Sequence, residues 1–141
     1  MIRPLRTLAL ATAALAAVAG PALAHHSFAM FDYSKTVTLK GVIRNFQWSN
    51  PHAIIFVYGE PVGGEPKLWS VELTSPSNLV RLGWSKRSLN EGDDVLLDIA
   101  PLRDGSPGGG FRKAVLVKTG QVLTASRDQV ITAAREGATA R

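Results

Sequence analysis

The sequence predicts a mainly β protein, a five-stranded OB-like Greek-key barrel, on three observations. Five short segments, alternating or continuously apolar and rich in β-branched and aromatic residues, are separated by turn residues. One short helix-forming segment falls between the third and fourth, giving the element order of the OB fold. The first segment is long and carries Gly41 where its apolar phase changes, which predicts a bulge or bend. A plain β-sandwich is the competing architecture, since five short strands could also pair as two open sheets.

The first strand is read over 36–48, with Val37 and Leu39 on one face and Val42, Phe46 and Trp48 on the other. Asn50-Pro51 interrupts it, and 52–58 is apolar on both faces, as a central strand would be. The Gly- and Pro-rich loop 59–66 joins it in a hairpin to 67–73, where Trp69, Val71 and Leu73 share a face. Ser75 as N-cap, Pro76 at the first helical position and Gly83 just past the end frame a short helix. Trp84, after a left-handed Gly83, is placed to fold back on the last turn as in a Schellman cap. The fourth strand is read over 95–100 and the fifth over 111–118, with 121–123 extending it and the Gly-rich stretch 101–110 as a loop. Ser126 and Gln129 have capping-box spacing, which predicts a short C-terminal helix in 126–141 with a frayed end.

Arg3 and Arg6, an Ala- and Leu-rich run from Leu8 to Val18, and Ala22-Leu23-Ala24 have the basic, apolar and A-x-A order of a cleaved signal peptide. The apolar run is short for a bilayer span, so no membrane span is expected after cleavage, and the expected location is the periplasm. The expected organisation is therefore a signal peptide at 1–24, an arm at 25–35, a barrel at 36–125 and a C-terminal segment at 126–141. Cleavage would leave 117 of the 141 residues, beginning at His25. The chain has no cysteine, so neither disulfides nor thiolate metal sites are available. Its net charge of +5 falls to +3 without the two leader arginines, too mild to imply nucleic acid.

The run His25-His26-Ser27-Phe28-Ala29-Met30-Phe31-Asp32, the segment Trp48-Ser49-Asn50-Pro51-His52 and the strand Trp69-Ser70-Val71-Glu72 invite a comparison. With Ser75-Pro76, Arg81-Leu82-Gly83-Trp84 and Glu91-Gly92-Asp93, they resemble the small exported bacterial proteins grouped as domain of unknown function 6152. The resemblance covers nearly all of the mature chain and implies an exported location and a barrel, but no activity.

All three histidines fall at two places, His25 and His26 at the expected cut and His52 after the Asn50-Pro51 turn. Cleavage before His25 would give one residue a free α-amine and an imidazole that can chelate together. A second imidazole, His52 across the fold or His26 locally, would complete a histidine brace. Three nitrogen donors suit Cu(II), with zinc the next choice. Against this stands the reading that the pair is a loose terminus and that His52 merely begins a strand.

Glu72 and Asp32 are possible carboxylate ligands. Pairing His52 with Leu73 turns Glu72 away to solvent, the expected register, whereas a one-residue slip puts it beside His52. Asp32 is expected to be a turn residue. Trp48 is the aromatic expected to be exposed, beside Asn50 and His52. With Glu72, Trp48 and Asn50 mark a possible surface for a small ligand, a peptide or an envelope protein partner. No Ser-His-Asp order, paired carboxylates or dinucleotide fingerprint stands out. A metal-binding or ligand-binding protein is therefore expected, rather than a hydrolase or dehydrogenase.

Overall fold

The computed structural model describes residues 28–126. The expected leader, His25, His26 and the expected C-terminal helix lie outside them.

The hairpin of β1 (Val37–Gln47) and β2 (Ile54–Pro61) continues into β3 (Lys67–Glu72), then α1 (Pro76–Arg81), β4 (Asp94–Pro101), β5 (Gly108–Leu116) and β6 (Val122–Thr124). β4 pairs antiparallel with the outer side of β1, and β5 with β4. A parallel β3–β5 pairing at Ser70–Gly108, Val71–Gly109 and Glu72–Gly110 closes the barrel. This is the five-stranded OB-like topology that the element order predicts. The 121–123 segment does not extend β5. It turns back at Gly120 and pairs beside β5 as the short β6, with Ala114 opposite Leu123.

Inward residues of every barrel strand meet in one core, including Leu39, Ile43, Ile55, Val57, Val71, Val95, Leu97 and Ile99, all fully buried. The alternation of β1 therefore differs from the sequence reading. Leu39 and Ile43 point inward, and the phase changes at a bulge between Ile43 and Asn45, not at Gly41. Arg44 is the extra residue, and beyond it Phe46 and Trp48 turn toward the core. Trp48 is accordingly half-buried and packs edge-on against Phe46, with ring centroids 5.5 Å apart. Trp48 is thus not the exposed aromatic that the sequence predicts.

The Schellman cap forms as expected. Gly83 has φ +86°, its N–H donates to Val80, and the Trp84 N–H reaches Leu79, each bond 3.0 Å long. This drives the Trp84 ring into the core, where its indole N–H donates to the Thr124 carbonyl at 2.7 Å. Ser75 occupies the N-cap without a side-chain cap bond. Its hydroxyl instead lies 3.0 Å from that of Ser77.

β5 begins three residues earlier than expected, at Gly108. The Gly108-Gly109-Gly110 run is strand because the barrel closes through it with no room for side chains. A Cβ on Gly109 would sit 2.4 Å from the Ala100 carbonyl, and one on Gly110 would sit 2.9 Å from the Tyr33 hydroxyl.

Candidate site at the His52–Glu72 pair

The chain enters β2 through a cis Asn50–Pro51 peptide, with Asn50 exposed. The backbone of Ala53 bonds both Leu73 and Thr74, so two β3-side residues oppose one. Ile54 pairs with Glu72. Because His52 shares the face of Ile54, this is the slipped register, and it brings Glu72 beside His52 instead of out to solvent. His52 Nδ1 lies 2.5 Å from Glu72 Oε1, and the two side chains are 31% and 28% exposed.

The second wall comes from the N-terminal arm. After one turn of 3-10 helix at Phe28–Met30, Phe31 bridges to Leu102 and the Asp32 N–H donates to the Pro101 carbonyl at 2.8 Å. The arm thus lies along the β4–β5 end of the barrel, not back along β1. Phe31 is buried and its ring meets the Tyr33 ring edge-on, with centroids 6.0 Å apart. Phe31, Tyr33, His52, Glu72, Leu73, Thr74, Phe111 and Ala125 enclose a cavity of about 250 Å³. The lining combines an imidazole–carboxylate pair with three aromatic rings, those of Phe31, Tyr33 and Phe111.

The cavity's electrostatics follow from these neighbours. Burial pushes the Tyr33 phenol above its usual pKa, the Glu72 carboxylate pushes it further, and the Arg112 guanidinium opposes both. Asp32 is the turn residue expected of it. Its carboxylate accepts from the Ser34 hydroxyl at 2.6 Å and from the Ser34 N–H at 3.2 Å, and Lys35 Nζ lies 3.3 Å away. The Ser34 hydroxyl bond above all holds its pKa below the usual carboxylate value, and the commitment to its own turn keeps Asp32 off the cavity rim.

Among the described residues the Glu72 contact is the only polar contact of the His52 ring, and it leaves Nε2 uncommitted. A carboxylate on Nδ1 fixes the tautomer and orients Nε2 as the donor nitrogen, the arrangement metal-binding histidines use. Among the described residues, however, no group of three His, Cys, Asp or Glu side chains could hold a metal alone. The structure brings Glu72 to His52, and Tyr33 with them, while Trp48 and Asn50 line none of the cavity. Tyr33 is the rim residue that sequence reading missed, because its part depends on the arm's path. No described helix is long and apolar enough to cross a membrane.

The fold and site together define a small OB-like barrel with an arm-walled cavity. The chain belongs to a family of unknown function (DUF6152), whose family model matches residues 12–112. Comparison with curated proteins and with solved structures gives no match.

Proposed function

We propose that this protein is an exported, periplasmic metal-binding barrel, in which His52 and a mature N-terminus at His25 share a copper ion for storage, delivery or buffering. The observation that carries the reading is His52 itself. Its Nδ1 is held by Glu72 and its Nε2 is left as a preset donor on the rim of a cavity whose other wall is the N-terminal arm. The arm supports it further, since Ala29 is tied to Arg103 only four positions from His25. Four extended residues cover about 13 Å. The α-amine and imidazole of His25 with His52 Nε2 would give three nitrogen donors, a set that favours Cu(II) over Zn(II). His26 is the local alternative to His52. Protons compete with the metal for every one of these nitrogens, so binding weakens on acidification.

The test is the intact mass of the exported protein, followed by Cu(II) titration under electron paramagnetic resonance beside His25→Ala and His52→Ala variants. The reading expects a start at His25 and altered copper spectra in both variants. A different start, or spectra indifferent to His52, contradicts it. One observation favours a second reading. The walls of Phe31, Tyr33 and Phe111 would suit a small aromatic or apolar ligand with one polar group turned to His52, in which case copper is irrelevant.

A further inference from the structure

The arm is held by a device that the metal reading does not by itself require. Among the described residues, the arm from Ala29 to Lys35 makes one strand-like bridge, Phe31 to Leu102, carried by the Asp32 N–H on the Pro101 carbonyl and the Arg103 N–H on the Met30 carbonyl. The side chains of two arginines of the β4–β5 hairpin take carbonyls on either side of that bridge. Arg103, in the turn after β4, donates through Nε to the Ala29 carbonyl at 3.2 Å. Arg112 on β5 donates through one terminal nitrogen to both the Tyr33 and the Lys35 carbonyls, the second at 3.3 Å. Its guanidinium carbon also lies 5.7 Å from the centre of the Tyr33 ring.

The placement of Arg112 is built into the sheet. Asp98 pairs with Lys113 and Ile99 with Phe111, so Arg112 is the extra residue of a β-bulge. Without the bulge, strict alternation would put Arg112 and Ala114 on one face. With it, Phe111 and Ala114 are both buried and Arg112 is released toward the arm, with its Nε buried and without a hydrogen-bond partner among the described residues. That nitrogen gives up hydration while the terminal nitrogen grips two carbonyls, which marks the arm contact as the feature the bulge serves. Guanidinium suits the task because one terminal nitrogen reaches both carbonyls while the planar group lies over the Tyr33 ring, a stacking that a compact ammonium does not reproduce.

We infer that Arg112, assisted by Arg103, is a positioning residue that clamps the arm's backbone to β4–β5 and so holds Phe31 and Tyr33 as the wall of the His52–Glu72 cavity. The inference rests on the proposed function only for its consequence, that a loosened arm weakens copper binding. The clamp itself is read without metal. Amide hydrogen exchange and copper competition titrations on the mature protein compare wild type with Arg112→Met, Arg112→Lys and Arg103→Met. Methionine keeps an apolar stem and removes the donors.

In Arg112→Met the Asp32 and Lys35 amides, which donate to Pro101 and to Asp32, should exchange at least tenfold faster. Core amides of β1 and β2 should be unchanged, and copper affinity should fall about tenfold. Arg112→Lys should rescue both effects only in part, because its shorter side chain must bring a single ammonium to the same two carbonyls and leaves no guanidinium over the Tyr33 ring. Arg103→Met, on an exposed side chain, should show a smaller change in the same direction. Arm amides that keep wild-type exchange in Arg112→Met overturn the clamp, as does full rescue by lysine. A loosened arm with unchanged, His52-dependent copper binding overturns its link to the site. If Arg112→Met loosens the core as well, Arg103→Met decides the matter, and unchanged arm exchange there overturns the inference. Copper binding indifferent to His52 in wild type overturns the metal reading and leaves the exchange result to judge the clamp alone.

Discussion

Replacing Glu72 by alanine removes the acceptor on His52 Nδ1 and little else. The contact is 2.5 Å long, but both side chains keep roughly a third of their surface in water, where an ion pair contributes under about 1 kcal/mol to stability. The fold should therefore hold, with a shift in unfolding free energy below about 1 kcal/mol. The metal site should respond more strongly, because His52 loses both its fixed tautomer and its ring orientation. Removing a carboxylate behind a metal-binding histidine costs about 10–100-fold in affinity, and the exposure of this pair points to the lower end, about tenfold or about 1.4 kcal/mol. Glu72→Gln should fall between wild type and alanine, since its amide oxygen still accepts from Nδ1–H. The assay is copper competition titration beside denaturant unfolding. An internal control comes from Tyr33, whose raised pKa includes a contribution from Glu72 and should move down in the alanine variant. Copper affinity unchanged in Glu72→Ala would refute the reasoning, and so would a stability loss above about 3 kcal/mol, which would mark the pair as structural.

Gly109→Ala forces a Cβ to within 2.4 Å of the Ala100 carbonyl and 2.9 Å of Ile99 Cδ1, so it should cost about 2–3 kcal/mol in urea unfolding. Gly110→Ala meets the Tyr33 hydroxyl and the Phe31 ring instead, and should mainly displace the arm, at about 1 kcal/mol, with faster arm amide exchange as the readout. Trp84→Phe leaves the buried Thr124 carbonyl without its indole donor and should lower stability by about 1–3 kcal/mol by the same measurement. Tyr33 has a folded pKa raised above its unfolded value of 10.0, so its contribution is fully present below that pH and is lost as pH rises through the folded pKa. Tyrosinate absorbance should show one residue titrating late, and Tyr33→Phe should remove that step.

Much of the fold is legible in the sequence because local rules agree with the global one. The hairpin of β2 and β3, the helix framed by Pro76 and Gly83, and the fold-back of Trp84 each follow from a few adjacent residues. What is not legible depends on one-residue shifts. Glu72 faces His52 because the register pairs Ile54 with Glu72 and not His52 with Leu73, and no propensity encodes that one-residue choice. The start of β5 was hidden because its glycines have the composition of a loop, whereas close packing against Ala100, Phe31 and Tyr33 selects them. A signal for the Arg112 bulge does exist. Phe111 and Ala114 are the apolar residues of an alternating strand and stand three apart instead of two. The bulge at Arg44 leaves a similar mark, with Ile43 and Phe46 three apart. The arm's path along β4–β5 has no sequence signature, since its carbonyls are met by arginines 74 and 79 positions away.

The claim at the centre is that His52 and the mature N-terminus hold the same ion. Pulsed electron paramagnetic resonance of the exported, copper-loaded protein counts coordinated imidazoles through their remote nitrogens. Two imidazole couplings in wild type, reduced to one in His52→Ala, are the predicted result. A spectrum with the same couplings in wild type and His52→Ala would contradict the account.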